Sequence, residues 1–162
     1  HQVETHINAI ELASFEQALA TADTRTRGIF AGVPTFVKDN TDIRGLPTNH
    51  GSQAVNGRPA KADGAFARQY MDQGFVCLGK STLPEFGFNA STEYMGSAPT
   101  RNPWHTDYSS GASSGGSAAL VAAGAEPVLV SFLIGAQSPR AVVHLLESRL
   151  PDPWERPPKH LI

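Results

Sequence analysis

The chain has 162 residues, enough for one hydrophobic core and one domain. Its 13 Lys and Arg against 15 Asp and Glu leave a net charge of −2, which argues against nucleic acid or an anionic membrane surface as a partner. No apolar run reaches membrane-spanning length and no signal peptide is visible, so a cytoplasmic location is the expectation.

The spacing of Phe15, Leu19 and Ala20 predicts a helix over Ala13 to Ala22. Val33 to Val37 reads as a strand, with Pro34 confining it to an edge or a strand start. The Gly-, Asn- and Pro-rich stretch Asp39 to Pro59 reads as irregular. Asp63 suits the N-cap of a helix from Gly64 to Gln73, with Phe66, Tyr70 and Met71 on one face and Gly74 at its end. Phe75 to Leu78 then reads as a buried strand, completing a helix–strand unit of α/β type, and the lone Cys77 within it as an inert buried thiol. Leu83 to Phe86 is a short helix at most, and Asn89 to Tyr108 a loop anchored by Tyr94 and Trp104. Ser117 to Ala123 predicts a closely packed helix of small residues, and Val128 to Phe132 a further strand. All 15 glycines fall at or before Gly135, whereas Pro139, Pro151, Pro153, Pro157 and Pro158 crowd the tail. There Ala141 to Leu150 has a helical pattern and Pro151 to Ile162 reads as disordered.

Two stretches carry chemistry. Ser109-Ser110-Gly111-Ala112-Ser113-Ser114-Gly115-Gly116-Ser117-Ala118-Ala119-Leu120 is a Ser/Gly loop that runs straight into a helix. Such runs are often flexible linkers, but a linker is not followed by a tight apolar helix. Far upstream, Gly32-Val33-Pro34-Thr35-Phe36-Val37-Lys38-Asp39-Asn40 ends an apolar strand on a lysine, and alternation gives Lys38 the face of Phe36. Burial lowers a lysine's pKa and leaves it able to accept a proton. A lysine in an apolar wall and a serine loop at a helix start are two parts of a nucleophilic site. The plainer readings are a solvated Lys38 and helix capping by Ser114 or Ser117.

Gly74-Phe75-Val76-Cys77-Leu78-Gly79-Lys80-Ser81 formally matches the phosphate-loop pattern. A phosphate loop must follow a strand and open a helix. Here a helix precedes Gly74, a strand fills the interval and Pro84 follows, so nucleotide binding is rejected. His1, His6, His50, His105, His144 and His160 show no metal-ligand spacing, and no metal is expected.

Both chemical stretches resemble the amidase signature family, the Ser–cis-Ser–Lys amidohydrolases. The resemblance includes Gly45-Leu46-Pro47-Thr48-Asn49-His50-Gly51-Ser52, Leu78-Gly79-Lys80-Ser81-Thr82-Leu83-Pro84-Glu85-Phe86-Gly87 and Thr100-Arg101-Asn102-Pro103-Trp104, runs through Pro127 to about Val128, and stops beyond Ile134. The implied fold is α/β, a mixed sheet flanked by helices, incomplete in this chain. It gives a partial amidase domain over 1–134 and a non-family tail over 135–162, disordered or out of frame. His1 in place of Met, and His6-Ile7-Asn8-Ala9-Ile10 as the end of the family's N-terminal helical region, imply a fragment at both ends, under half of a full-length member.

The resemblance makes Lys38 the general base and gives Ser113 a cis peptide bond and the proton relay, with Ala112 where the family commonly has glycine. The register set by Pro127 puts the nucleophilic serine at position 137, where this chain has Gln137, and Ser138 stands one place late. A glutamine amide cannot be that nucleophile. Asp39 and Asn40 are expected to hydrogen-bond the Ser113 loop, and Tyr94, Met95 and Gly96 to line the acyl pocket. The implied reaction is hydrolysis of a carboxylic amide to acid plus ammonia or amine through a serine acyl-enzyme, without a cofactor. The expected partner is a small-molecule amide, with no nucleic acid, no membrane and a homodimer left open for the full-length protein. This fragment itself is expected to be inactive, and the alternative is a non-catalytic pseudogene remnant. A frameshift near residue 135 accounts for the tail. Read one base later, a CAG codon at Gln137 followed by a TCN serine codon gives AGT, serine, at position 137.

Overall fold

The computed structural model describes residues 4–24 and 27–124. The expected strand at Val128 to Phe132, the helix at Ala141 to Leu150, the tail and Gln137 lie outside the described residues. In chain order the elements are α1 (Glu4–Ile7), β1 (Ile10–Ala13), α2 (Phe15–Ala22), β2 (Pro34–Lys38), α3 (Ala65–Met71), β3 (Val76–Ser81), a 3₁₀ turn (Glu85–Gly87), β4 (Arg101–Asn102), β5 (His105–Ser109) and α4 (Gly115–Ala122). Among the described residues no helix is long and apolar enough to cross a membrane.

The main sheet is mixed. Its order is β1-β3-β2, with β1 antiparallel and β2 parallel to β3. Pro34 opens β2, where its missing N–H disturbs no ladder. The helix expected from Ala13 begins at Phe15 because Ile10–Ala13 pairs with β3 instead, and the Ser14 N–H continues that pairing onto the Leu78 carbonyl at 2.8 Å. The strand expected to stop at Leu78 runs on to Ser81, because β1 and β2 both bond its last residues.

The sheet buries both faces. On one, Phe36, Val76 and Leu78 meet Ala18 and Ala22 of α2 and Ala119 and Leu120 of α4. On the other, Val37 packs with Ile43, Leu46, Phe75 and with Ala67 and Met71 of α3. Fully buried leucines such as Leu78 and Leu120 contribute about 1.5–3 kcal/mol each by leaving water. Small side chains on α2 and α4 bring both helices close to the strands, as the Ala- and Gly-rich sequence of α4 implies.

The second face ends in a stack of rings. Phe30 lies 4.7 Å from Phe75, Phe75 lies 4.4 Å from Tyr70, and Tyr70 lies 5.5 Å from Phe66, centroid to centroid. Phe66 covers the outer end of this stack and is 62% exposed, so it is not the core position its helical spacing implied. Gly64 takes the N-cap position of α3, because the Asp63 carboxylate accepts the Arg44 N–H at 2.7 Å.

One irregularity sets the direction of two side chains. Thr35 pairs with Cys77 but Phe36 pairs with Gly79, which leaves Leu78 as an extra residue in β3. Leu78 and Val76 share the α4 face, yet beyond the bulge Ser81 points to α4 and Lys80 points to the opposite face. Gly79 makes this possible: its φ is +146°, and a Cβ there would stand 2.0 Å from the Leu12 carbonyl oxygen.

The stretch expected to be a loop, Asn89 to Tyr108, contains the β4–β5 hairpin, with Arg101 opposite Ser109 and Asn102 opposite His105. Its turn is local chemistry. The Asn102 side-chain oxygen accepts the Trp104 N–H at 3.0 Å. Trp104 is 56% exposed, whereas Tyr94 is half-buried.

Candidate active site

Lys38 is the last residue of β2 and lies opposite Ser81. Its Nζ donates to Ser113 Oγ at 2.8 Å and to Ser114 Oγ at 3.1 Å. Burial holds the Lys38 amine below the ordinary lysine range. The structure therefore brings together the lysine and the serine that the sequence paired across 75 positions.

The serine loop is fixed from several sides. The Ala112–Ser113 peptide bond is cis. Thr92 donates its hydroxyl to the Gly111 carbonyl at 2.6 Å, and the Gly111 N–H reaches Ser109 Oγ at 3.1 Å. Directly after the loop, α4 comes so close to the end of β3 that the Gly116 N–H donates to the Thr82 carbonyl at 3.2 Å. A Cβ on Gly116 would lie 2.4 Å from Thr82 Oγ1 and 2.5 Å from the Thr82 nitrogen, so the paired glycines permit this approach.

The expected capping serines act otherwise. Ser114 occupies the N-cap position of α4 without a side-chain capping bond, its hydroxyl being within reach of Lys38. Ser117 Oγ shares a 2.7 Å hydrogen bond with Ser81 Oγ on β3.

Asp39 does not bond the Ser113 loop. It follows Lys38 on the opposite side of the strand, where its carboxylate meets Lys80 Nζ at 3.0 Å and accepts the Asn49 N–H at 3.0 Å. Lys80 also donates to Thr48 Oγ1 at 3.2 Å and to the Pro47 carbonyl at 3.3 Å. The side chains of Lys80 and Asp39 are 0% and 1% exposed. Asn40 is exposed and accepts the Thr41 hydroxyl at 3.3 Å. This buried pair is the feature that sequence reasoning missed. Its one signal was a lysine inside an apolar strand, which the phosphate-loop match drew attention to and then dismissed.

Tyr94 is half-buried and donates its hydroxyl to Glu11 Oε2 on β1 at 2.9 Å. Burial, with a smaller contribution from the neighbouring Glu11, raises its pKa above the ordinary tyrosine value. Met95 is 90% exposed, and Gly96 is exposed beside the Gln53 side chain. Gln137 lies outside the described residues.

Comparison with known proteins gives the family. The Amidase family model matches residues 1–130. AmiC of Mycobacterium leprae (strain TN) is 50% identical over 126 residues, which is 78% of this chain and 27% of that protein. Among solved structures, 6-aminohexanoate cyclic dimer hydrolase in complex with substrate is 37% identical, with a TM-score of 0.66 over 74% of this chain and 25% of its own. A bacterial aryl acylamidase of the amidase signature enzymes is 31% identical, with a TM-score of 0.68 over 76% of this chain and 28% of its own. The chain thus spans about a quarter of the length of the relatives it matches. From the mixed sheet that ends on Lys38 to the serine loop facing it, the chain belongs to the amidase family.

Proposed function

We propose that the protein is an amide hydrolase of the acyl-enzyme type, with Lys38 and Ser113 as its proton relay. The 2.8 Å contact between Lys38 Nζ and Ser113 Oγ carries this reading. A neutral Lys38 takes the Ser113 proton, and Ser113 takes the proton of the nucleophilic serine as that serine attacks the amide carbonyl. Backbone N–H groups hold the oxyanion. The protonated relay then delivers a proton to the leaving nitrogen, and water releases the acid. Side chains carry the protons between nucleophile, leaving nitrogen and water, so the scheme calls for no cofactor. The relatives named as a cyclic dimer hydrolase and an aryl acylamidase support a small-molecule carboxylic amide as the substrate class.

The nucleophile position is held by Gln137, so the chain as it stands has no covalent route. That observation favours a second reading, a non-catalytic remnant, and the two separate at the level of the gene. In the frameshift reading the coding DNA one base later spells serine at 137 and then Leu-Arg-Val-Pro-Ser. Glu147 to Pro151 become Asn-Leu-Gly-Phe-Arg in the same frame. A shifted frame that spells neither segment refutes the frameshift. For the activity, a fluorophosphonate probe should label serine 137 of the frame-corrected protein and leave the present chain unlabelled. Gln137→Ser alone should not restore labelling, since the residues that build the turn remain wrong. Absence of labelling in the corrected protein refutes the hydrolase reading.

A further inference from the structure

We propose that Lys80 is a positioning residue for Lys38, acting through Asp39 to hold the relay lysine against Ser113. The inference deepens the amide-hydrolase reading and rests on it for the role of Lys38. Residue 39 is gripped immediately after Lys38. Its N–H donates to the Ser81 carbonyl at 3.1 Å, its carbonyl accepts the His50 N–H at 3.0 Å, and its carboxylate is divided between Lys80 and the Asn49 N–H. Lys80 also joins β3 to the Pro47–Thr48 segment. The end of β2 is thus tied to β3 and to the 47–50 segment at once, and that end is where the Lys38 side chain departs.

The bulge at Gly79 makes this division of labour. By turning Lys80 toward Asp39 and Ser81 toward Ser117 of α4, it sends one tie to each face of the sheet. The Lys80 tie holds the backbone that carries Lys38, and the Ser81 tie holds the helix that follows Ser113 and Ser114. A buried ion pair adds little net stability over an apolar pair of the same volume, whereas it fixes geometry when each donor and acceptor is satisfied. Here Lys80 has three acceptors in reach and each Asp39 oxygen has a donor. Asp39 lies on the far side of the strand from Lys38, so the tie works through the backbone.

The test uses the 162-residue chain with ¹³C-labelled lysine, followed by NMR. It reads the contact between Lys38 Hε and Ser113 Hβ together with the Lys38 titration midpoint. The parent should show the contact and a midpoint below the ordinary lysine value. Lys80→Met alone strands a buried carboxylate, so it is paired with Asp39→Asn to give a neutral double variant. This double variant should melt cooperatively, lose the contact and raise the Lys38 midpoint by about one pH unit as the amine regains water. Thr48→Val keeps both charges and the side-chain volume, and should move the midpoint the same way by less. A folded double variant, or Thr48→Val where the double variant does not fold, with contact and midpoint both unchanged overturns the inference. A parent whose contact is present but whose Lys38 titrates at the ordinary lysine value overturns the general-base reading instead, and the positioning inference stands.

Discussion

Ser81 and Ser117 share a 2.7 Å hydrogen bond that joins the end of β3 to the first turn of α4. Ser81 is fully buried and lies opposite Lys38 in the sheet, and Ser117 follows the serine loop by a single helical turn. The two walls of the candidate site are therefore tied directly behind it. Ser117→Ala should leave the Ser81 hydroxyl without this partner in a buried setting, at a cost of about 1–3 kcal/mol. The check is urea denaturation, and an unchanged midpoint would show that the bond carries no stability.

Gly116→Ala should be more disruptive than its size suggests. The added Cβ meets backbone and hydroxyl atoms of Thr82 at 2.4–2.5 Å, so α4 must move off β3 and take the serine loop with it. An overpacking cost of about 1–3 kcal/mol is expected, read as a lower melting temperature with loss of the Lys38–Ser113 contact.

In the frame-corrected protein the rate should rise with pH as Lys38 loses its proton. The sign follows from the direction of its shift: burial disfavours the ammonium, so the base form is present at lower pH than for a free lysine, about 10.4. The acid limb of kcat/KM should therefore lie below that value. Lys38→Ala should reduce turnover by about 10²–10⁴-fold and remove that limb while the fold persists. Near-normal turnover of an aliphatic amide by Lys38→Ala would assign the lysine a structural role.

ATP should not bind at Lys80, despite the phosphate-loop pattern that ends there. Its ammonium is sealed in β3 and paired with Asp39, and the residues after Gly74 form a strand rather than an anion cradle. Calorimetry with ATP and Mg²⁺ should give no saturable heat. Saturable binding that disappears in Lys80→Ala would reopen the question.

The meeting of Lys38 and Ser113 was legible in the sequence because both sit at element ends. A lysine closing an apolar strand and a serine loop opening a small-residue helix are local patterns, and both survive translation into three dimensions. What escaped depends on pairing between distant segments. Asp39 is adjacent to Lys38 but finds its partner 41 residues on, so proximity in sequence pointed it at the wrong loop. Ile10–Ala13 is too short for its Ile–Glu–Leu alternation to mark a strand, and it becomes β1 by pairing with β3. The polar β5 segment His105–Ser109 is mostly exposed, so no apolar period marked it as a strand. Phe66 fits a helical stripe, yet the ring it stacks on is already at the margin of the core.

The bulge in β3 behaves like a change of phase in a two-stroke rhythm. Up to Leu78 one parity faces α4, and after Gly79 the other does. Straightening the strand with every residue kept would therefore exchange the surroundings of the two that follow Gly79, pressing a lysine toward the serine helix and a serine toward the acid. Neither Lys38 nor Ser113 would itself have been altered. A substitution at Gly79 that forced out this irregularity would strike the candidate site harder than many substitutions made within it.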